Sequence, residues 1–229
     1  MIDRPRLAAV RLGVLVVALA MSPAPALAQA AAAAPADATP ARPAAERSPV
    51  TRTLIFLGGG LAGLGIHESG HVLAGLAFDA SPRAERIDYG FIPFVAIAHD
   101  PVSRREEFVI SSAGFWMQHA ASEWILTARP HLRSQQAPFL KGIVAFNLGA
   151  SAVYSVAAFG KWGPPESDTR GMAISLGADG VPEPVIGALI LGPAILDGYR
   201  YLHPEKRWPV WASRGAKIAA VLLTFAAGR

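Results

Sequence analysis

The chain has 229 residues, of which 52% are hydrophobic and 17% charged, and its mean hydropathy is +0.33. A soluble domain usually carries about a quarter charged residues, so this composition does not favour a water-soluble domain. The net charge of +4 comes from short basic clusters between apolar runs, which is typical of loops at a membrane surface and disfavours a nucleic-acid partner. Because cysteine is absent, disulfides and thiolate metal sites are excluded. A tightly bound transition metal would therefore need histidine and carboxylate ligands.

The N-terminal residues have the pattern of a secretory signal. Arg4, Arg6 and Arg11 precede a short apolar run over 12–20, and the small residues of 26–28 offer a cleavage site. We therefore predict a signal peptide over 1–28, with an uncleaved signal anchor as the alternative. Residues 29–52 are dominated by Ala and Pro and predict a flexible linker outside the cytoplasm. The remainder, 53–229, is predicted to be one membrane-embedded domain.

Apolar runs of about 20 residues, the length that crosses a bilayer core as a helix, recur through this domain. They cover 53–78, 107–127, 139–159 and 185–202, with a weaker run at 208–227. The predicted fold class is an all-α polytopic membrane protein with about four to five membrane segments. The short apolar piece 91–98 is either a strand or a re-entrant loop. We expect an integral membrane protein whose partner is the lipid bilayer, located in a bacterial inner membrane.

A cluster of ionisable residues, His67-Glu68-Ser69-Gly70-His71, lies inside the first apolar run. On a helix, His67 and His71 project from one face one turn apart, a spacing that lets two imidazoles bind one zinc ion. Glu68 lies next to the first ligand, where its carboxylate can reach a metal-bound water as general base. A charge at the centre of a membrane helix costs about 2.5–3.5 kcal/mol, so these groups need a metal or strong partners. A polar cluster satisfied by neighbouring helices is the alternative.

Two histidines need a third protein ligand, and Asp197 is the leading candidate. It is the acidic residue inside the fourth apolar run, and it follows Gly192-Pro193, which can bend a helix. Its alternative role is a carboxylate at a helix end. The rival ligand is Glu123, which forms an i, i+4 pair with His119 on the second run. Such a buried pair is more often a mutual hydrogen bond than a metal ligand.

Residues 65–74, which read Gly-Ile-His-Glu-Ser-Gly-His-Val-Leu-Ala, resemble the metal-binding helix of the site-2 protease family of intramembrane metalloproteases. The stretch 196–198 is similar to that family's downstream Leu-Asp-Gly. Residues 103–114 are similar to the start of its middle core helix, and the resemblance covers 54–201 in all. It implies that His67, His71 and Asp197 bind Zn²⁺ and that Glu68 is the catalytic base. The implied reaction is peptide-bond hydrolysis in a membrane-spanning or signal-peptide-like substrate.

The chain also departs from this family pattern. Phe115 stands where the family usually has proline, and Gln118 and His119 stand near its usual asparagine. The stretch 191–193 lacks the family's Asn-Pro pair. The resemblance therefore implies metal binding more directly than substrate binding. Two other classes of function stay open: a non-proteolytic zinc-binding scaffold, and a metal-free proton or ion relay.

Simple helix geometry places the predicted ligands at different depths. With the linker outside, His67 lies about 21 Å along a helix that starts at residue 53. If every run is a simple span, the Asp197 helix runs the opposite way, and Asp197 lies about 18 Å from its start at residue 185. A zinc–ligand bond of about 2.0–2.2 Å would then require a re-entrant segment or a helix broken at Gly192-Pro193.

Overall fold

The computed structural model describes residues 48–89, 92–176 and 182–226. These residues are mostly helical and form six α-helices, one β-hairpin and a 3-10 turn at Leu132–Ser134. In chain order the elements are α1 (Pro49–Ala77), β1 (Arg83–Tyr89), β2 (Ile92–Ala98), α2 (Arg104–Ala128), α3 (Pro138–Gly160), α4 (Asp168–Ser175), α5 (Glu183–Leu202) and α6 (Trp208–Ala226). The predicted signal peptide and the first part of the linker lie outside the described residues. The last linker residues are helical, because α1 begins at Pro49 with Ser48 as its cap.

Three helices, α1, α3 and α5, are long and apolar enough to cross a membrane. Their bounds agree closely with the predicted runs 53–78, 139–159 and 185–202. Helices α2 and α6 form where the second and fifth runs were predicted, but they do not meet the same standard of length and composition among the described residues. Large hydrophobic side chains are exposed along α1, including Leu54, Leu57, Leu61, Leu73 and Leu76. An outward apolar surface of this kind suits contact with lipid.

Glycines set the contact between α1 and α3. A Cβ added to Gly59 would lie 2.0 Å from the Phe139 carbonyl oxygen, and one added to Gly142 would lie 2.0 Å from the Phe56 carbonyl oxygen. Farther along, Gly63 faces Phe146. Residue numbers rise together on the two helices, so α1 and α3 run parallel. Small residues at such crossings allow membrane helices to approach backbone to backbone.

The α1–α2 and α3–α5 pairs run antiparallel. Gly70 on α1 packs against the backbone of α2, since a Cβ added to Gly70 would lie 2.4 Å from the Ala113 carbonyl oxygen. Gly187 on α5 packs against Ser155 of α3, whereas Gly198 faces Leu148. Helix α5 therefore runs opposite to α3 and α1. It continues through the interior residue Pro193 without a break, so the broken-helix alternative is not observed.

The described part of the segment 91–98, Ile92–Ala98, forms a strand. Strand β2 pairs antiparallel with β1, with Arg83 opposite Ala98 and Tyr89 opposite Ile92. Strand β1 was not predicted, because Arg83, Glu85 and Arg86 break any apolar alternation. The hairpin follows α1 directly and precedes α2, the two helices that carry the site described below.

The α1–α3 contact predicts a difference between two alanine substitutions in α3. Gly142→Ala forces backbone atoms apart and should destabilise the fold by about 1–3 kcal/mol, the usual cost of overpacking. Gly149→Ala is the matched control, because a Cβ there meets nothing within 4 Å. The measurement is the midpoint of thermal unfolding in detergent. Equal midpoints for the two variants would contradict the close contact.

Candidate metal centre

The two histidines of α1 point into the bundle and converge. His67 is 2% exposed and His71 5% exposed, and their Nε2 atoms lie 3.2 Å apart. The i, i+4 spacing places both rings on the face of α1 that packs against α2. This arrangement follows from Gly70, which lies between them in the motif and lets the α2 backbone approach.

Asp168 completes a group of three possible ligand atoms. Its Oδ2 lies 3.1 Å from His67 Nε2 and 3.4 Å from His71 Nε2. Among the described residues, His67, His71 and Asp168 form the group of histidine and carboxylate side chains that could hold a metal ion. Asp168 is the first residue of the short helix α4, which packs on α2 through the contact of Gly171 with Ser111.

Hydrogen bonds on the far side of each ring fix which nitrogen is free. His71 Nδ1 donates to the Ile110 carbonyl oxygen at 2.8 Å. His67 Nδ1 lies 3.0 Å from Gln118 Oε1. The amide nitrogen of Gln118 donates to Ser151 Oγ and the Asn147 carbonyl, so its oxygen must face His67. Both Nδ1 atoms are therefore donors, and both Nε2 atoms present lone pairs to Asp168.

Three acceptor atoms thus meet with no donor between them unless an imidazole is protonated. A cation is the group that such a set binds. For zinc bonds of about 2.0–2.1 Å in tetrahedral geometry, two ligand atoms lie about 3.3–3.4 Å apart. The three observed separations, 3.2, 3.1 and 3.4 Å, agree within a few tenths of an ångström. The three candidate ligand atoms and the distances between them therefore fit a zinc ion.

Gly114 of α2 keeps the space beside these atoms free. A Cβ at this position would lie 2.4 Å from His71 Nε2 and 2.7 Å from His67 Nε2. Any larger residue would fill the place where the imidazoles converge. The glycine therefore belongs to the site, although it offers no ligand atom.

The Asp168 carboxylate is held in its ionised form. Its burial alone would raise its pKa, but when the imidazoles are protonated the charge of His71 and hydrogen bonds from both rings act in the opposite direction. The net effect is a pKa well below the usual range of aspartate. A carboxylate that stays ionised is the form that binds a metal.

Glu68 lies beside the group without belonging to it. It is partly buried, and its carboxylate interacts electrostatically with His67, His71 and Asp168. The carboxylate of Glu68 is therefore close enough to the group to be affected by its charges, while the three candidate ligand atoms come from His67, His71 and Asp168.

The structure does not bring Asp197 to the histidines; the carboxylate that lies beside them is that of Asp168. Asp197 is fully buried, and its Oδ1 accepts from Ser213 Oγ at 2.7 Å and from Lys217 Nζ at 2.8 Å. Helix geometry explains the separation. His67 stacks on Tyr154 of α3, at the level where Gly187 of α5 packs on Ser155. Asp197 lies ten residues beyond Gly187, a rise of about 15 Å.

Glu123 and His119 also lie outside the metal group. Glu123 belongs to a buried ion cluster that joins α2, α5 and α6; its members are Glu123, Asp197, Arg200, Arg214 and Lys217. The expected hydrogen bond between His119 and Glu123 does not form. The Nε2 atom of His119 is buried and has no hydrogen-bond partner among the described residues.

Three residues of the site were missed in the sequence. Asp168 lies in a polar connection rich in Pro and Gly, where no periodicity marks a ligand. Gln118 departs from the family pattern, but that departure does not show that it is the partner of His67. Tyr154 had no signal other than an aromatic residue in an apolar run. Asp168 would have been a candidate if the Asp and Glu residues in the connections between apolar runs had been considered as ligands.

Comparisons with family models, with curated proteins and with solved structures gave no match to this chain. The resemblance of residues 65–74 to the site-2 protease family therefore stays a hypothesis. Any proposed function depends on the geometry of the site.

The space beside Gly114 predicts a loss of metal binding on a minimal substitution. Gly114→Ala places a methyl group against both Nε2 atoms, so we expect metal affinity to fall at least as far as the 10–100-fold typical of a lost outer-shell partner. Gly65→Ala is the control, since a Cβ there meets nothing within 4 Å. Isothermal titration of the purified, metal-free variants with Zn²⁺ measures the zinc affinity of each. Unchanged affinity in Gly114→Ala would disprove the convergence of the two imidazoles at this point.

Two aspartate variants distinguish the third ligands. Asp168→Ala removes a ligand atom and should weaken zinc binding by more than about 100-fold. Asp197→Ala should keep zinc affinity but lower the free energy of unfolding by about 3–5 kcal/mol, because Lys217 and Arg200 lose a buried partner. Zinc titration and chemical denaturation in detergent measure the two effects. If Asp197→Ala weakened zinc binding and Asp168→Ala did not, Asp197 would be the third ligand.

Proposed function

We propose that this protein is a zinc-dependent intramembrane endopeptidase. The observation that carries the proposal is the convergence of His67 Nε2, His71 Nε2 and Asp168 Oδ2 with Glu68 beside them. Three protein ligands from histidine and carboxylate, with a glutamate adjacent to the first histidine, are what catalytic zinc sites in metalloproteases use. The resemblance of residues 65–74 to the site-2 protease family supports the same reaction.

Zinc is the metal that the candidate ligands His67, His71 and Asp168 favour. Two imidazoles and one carboxylate are ligands that zinc accepts, and the ligand separations fit its short bonds. When bound in such a site, zinc acidifies a coordinated water and polarises the carbonyl of the scissile bond.

The chain's own residues supply proton transfer and orientation. Glu68 takes a proton from the attacking water and delivers it to the amine that leaves when the C–N bond breaks. Gln118 and the Ile110 carbonyl hold the two imidazoles with their Nε2 lone pairs inward, as outer partners of metal-binding histidines do. Burial of both rings keeps bulk water from competing at these atoms.

The proposed substrate is a membrane-spanning or signal-peptide-like segment. Helices α1, α3 and α5 have the length and composition of membrane spans, and the candidate ligands His67 and His71 lie on one of them. We propose that α2 and α6 also lie in the bilayer, which makes five segments, and that the membrane is a bacterial inner membrane. The exposed leucines of α1 support a lipid-facing position for the site helix.

A metal-free relay is the second candidate. The contact of 3.1 Å between His67 Nε2 and Asp168 Oδ2 is also a hydrogen bond if the imidazole carries a proton there. The metal content of the purified wild-type protein decides between the two. One zinc per chain supports the endopeptidase, whereas its absence with intact histidines supports the relay.

The proposed role of Glu68 predicts separable effects on binding and turnover. Glu68→Gln removes the base but no ligand, so zinc affinity should stay near the wild-type value while cleavage falls by at least about 100-fold. The assay uses proteoliposomes with a membrane-spanning reporter peptide. Glu205→Gln, at an exposed loop position, is the matched control and should cleave normally. Retained cleavage by Glu68→Gln would exclude the mechanism. Zinc binding without cleavage of any reporter by the wild type would favour a scaffold.

A further inference from the structure

Two connections meet at the end of the bundle where α1 and α3 begin and α2 and α5 end. One joins α2 to α3 over 129–137, and the other joins α5 to α6 over 203–207. They lie side by side, because Arg133 Nη1 donates to the Leu202 carbonyl oxygen at 3.4 Å. Lys141 of α3 reaches the same place and donates to the Arg133 carbonyl oxygen at 2.8 Å. Since α3 and α5 are candidate membrane spans, this end of the bundle would lie at a membrane surface.

Basic side chains dominate the surface at this end. The group, called the basic patch below, consists of Arg129, Arg133, Lys141, Lys206 and Arg207. Glu205 is the only acidic residue in the two connections, and its Oε1 lies 3.6 Å from His203 Nδ1. Arg129 and Arg207 are exposed, and neither pairs with an acidic side chain in the part of the chain that the structure describes.

The buried acidic residues at this end do not neutralise the basic patch. Glu123 and Asp197 already pair with Arg200, Arg214 and Lys217 in the buried ion cluster. That cluster contains more basic than acidic side chains, so it has no negative charge to spare. The positive charge of the basic patch is therefore open to an anion from outside the chain.

Exposed tryptophans lie beside the basic patch. Trp124 is in the last turns of α2, and Trp208 and Trp211 are in the first turn of α6. The three side chains are 52%, 54% and 70% exposed. Tryptophan at the ends of membrane segments prefers the headgroup region of a bilayer. Arg129 follows the end of α2 and Arg207 precedes α6, so both guanidinium groups lie where lipid phosphates would be.

We propose that the basic patch binds the headgroups of anionic phospholipids in the surrounding bilayer. A Lys or Arg near an anionic membrane surface strengthens binding by about fivefold. The planar guanidinium of arginine also matches the oxygens of a phosphate. The neighbouring tryptophans favour a lipid over a soluble polyanion. The proposal requires α3 and α5 to lie in the membrane, but it does not depend on the proposed zinc site.

Fluorescence quenching by brominated lipid tests the proposal in the reconstituted full-length protein. The bilayers contain phosphatidylcholine and phosphatidylglycerol, and one of the two lipids carries brominated acyl chains. Quenching then measures which lipid lies next to the tryptophans. A Trp162→Phe background removes the exposed tryptophan at the opposite end of the bundle. The exposed tryptophans that remain, Trp124, Trp208 and Trp211, all lie beside the basic patch.

Combined neutralisation of Arg129, Lys206 and Arg207 to glutamine should lower the preference for phosphatidylglycerol over phosphatidylcholine by at least about fivefold. All three side chains are exposed, so the fold should not change. High salt should also weaken the preference of the unsubstituted patch, because exposed charges are screened. Zinc affinity by titration should stay unchanged in the glutamine variant, which separates this surface from the metal centre.

Two further variants serve as controls. Combined substitution of Arg104, Lys161 and Arg170 by glutamine removes three exposed basic side chains at the other end of the bundle, and it should keep the preference. Arg129→Lys with Arg207→Lys preserves the charge of the basic patch and should keep it within about twofold, because a lysine ammonium also attracts lipid phosphate.

Four results would overturn the proposal. They are no preference in the wild type, an unchanged preference in the glutamine variant of the basic patch, an equal loss in the variant of the opposite end, and an equal loss in the lysine variant. Millimolar inorganic phosphate at constant ionic strength separates a lipid headgroup from a free phosphate. If it abolished the preference, the basic patch would be a site for free phosphate, and the lipid proposal would be wrong.

Discussion

The backbone contact between α1 and α2 at Gly70 and Gly114 is the constraint on which the site depends. At Gly70 the α2 backbone lies where a Cβ would be, and at Gly114 the space that a Cβ would take belongs to the imidazoles. If the two helices were separated by one methyl group, Ile110 and Gln118 could no longer hold the histidine rings. Two residues with no functional groups therefore determine whether the two residues with imidazoles can act together.

Around this contact, four helices contribute to the candidate site. Helix α1 provides two candidate ligands and the proposed base, α2 provides the hydrogen-bond acceptors for both rings, and α3 fixes Gln118. The third candidate ligand atom comes from the short helix α4, whose Met172 and Ala173 belong to the hydrophobic core. The candidate centre therefore combines two side chains of one long helix with one side chain of a separate short helix, so it depends on how α4 packs against the bundle.

The sequence was sufficient for the apolar elements and for the paired histidines, because both follow from local patterns. Runs of about 20 apolar residues predict membrane-length helices, and a spacing of four predicts a shared helix face. Asp168 could not be predicted this way, since its proximity to His67 comes from packing across 101 residues of chain. Asp197 was predicted as a ligand because it is the acidic residue of the fourth apolar run and because the family resemblance implies that role. Its partners are instead Ser213 and Lys217 on α6, whose position against α5 no local pattern shows.

The buried ion cluster has a consequence for how the chain enters a bilayer. It contains two acidic and three basic side chains drawn from α2, α5 and α6. Each charge exposed singly at a helix centre would cost about 2.5–3.5 kcal/mol during insertion, so α2 and α6 are poor candidates for independent partition into lipid. Glu123 lies 77 positions before Arg200 and 94 before Lys217, so its charge is first matched when α5 has been synthesised. Formation of the cluster would then be a late step, in which α6 adds Arg214 and Lys217 after α5 has presented Asp197 and Arg200.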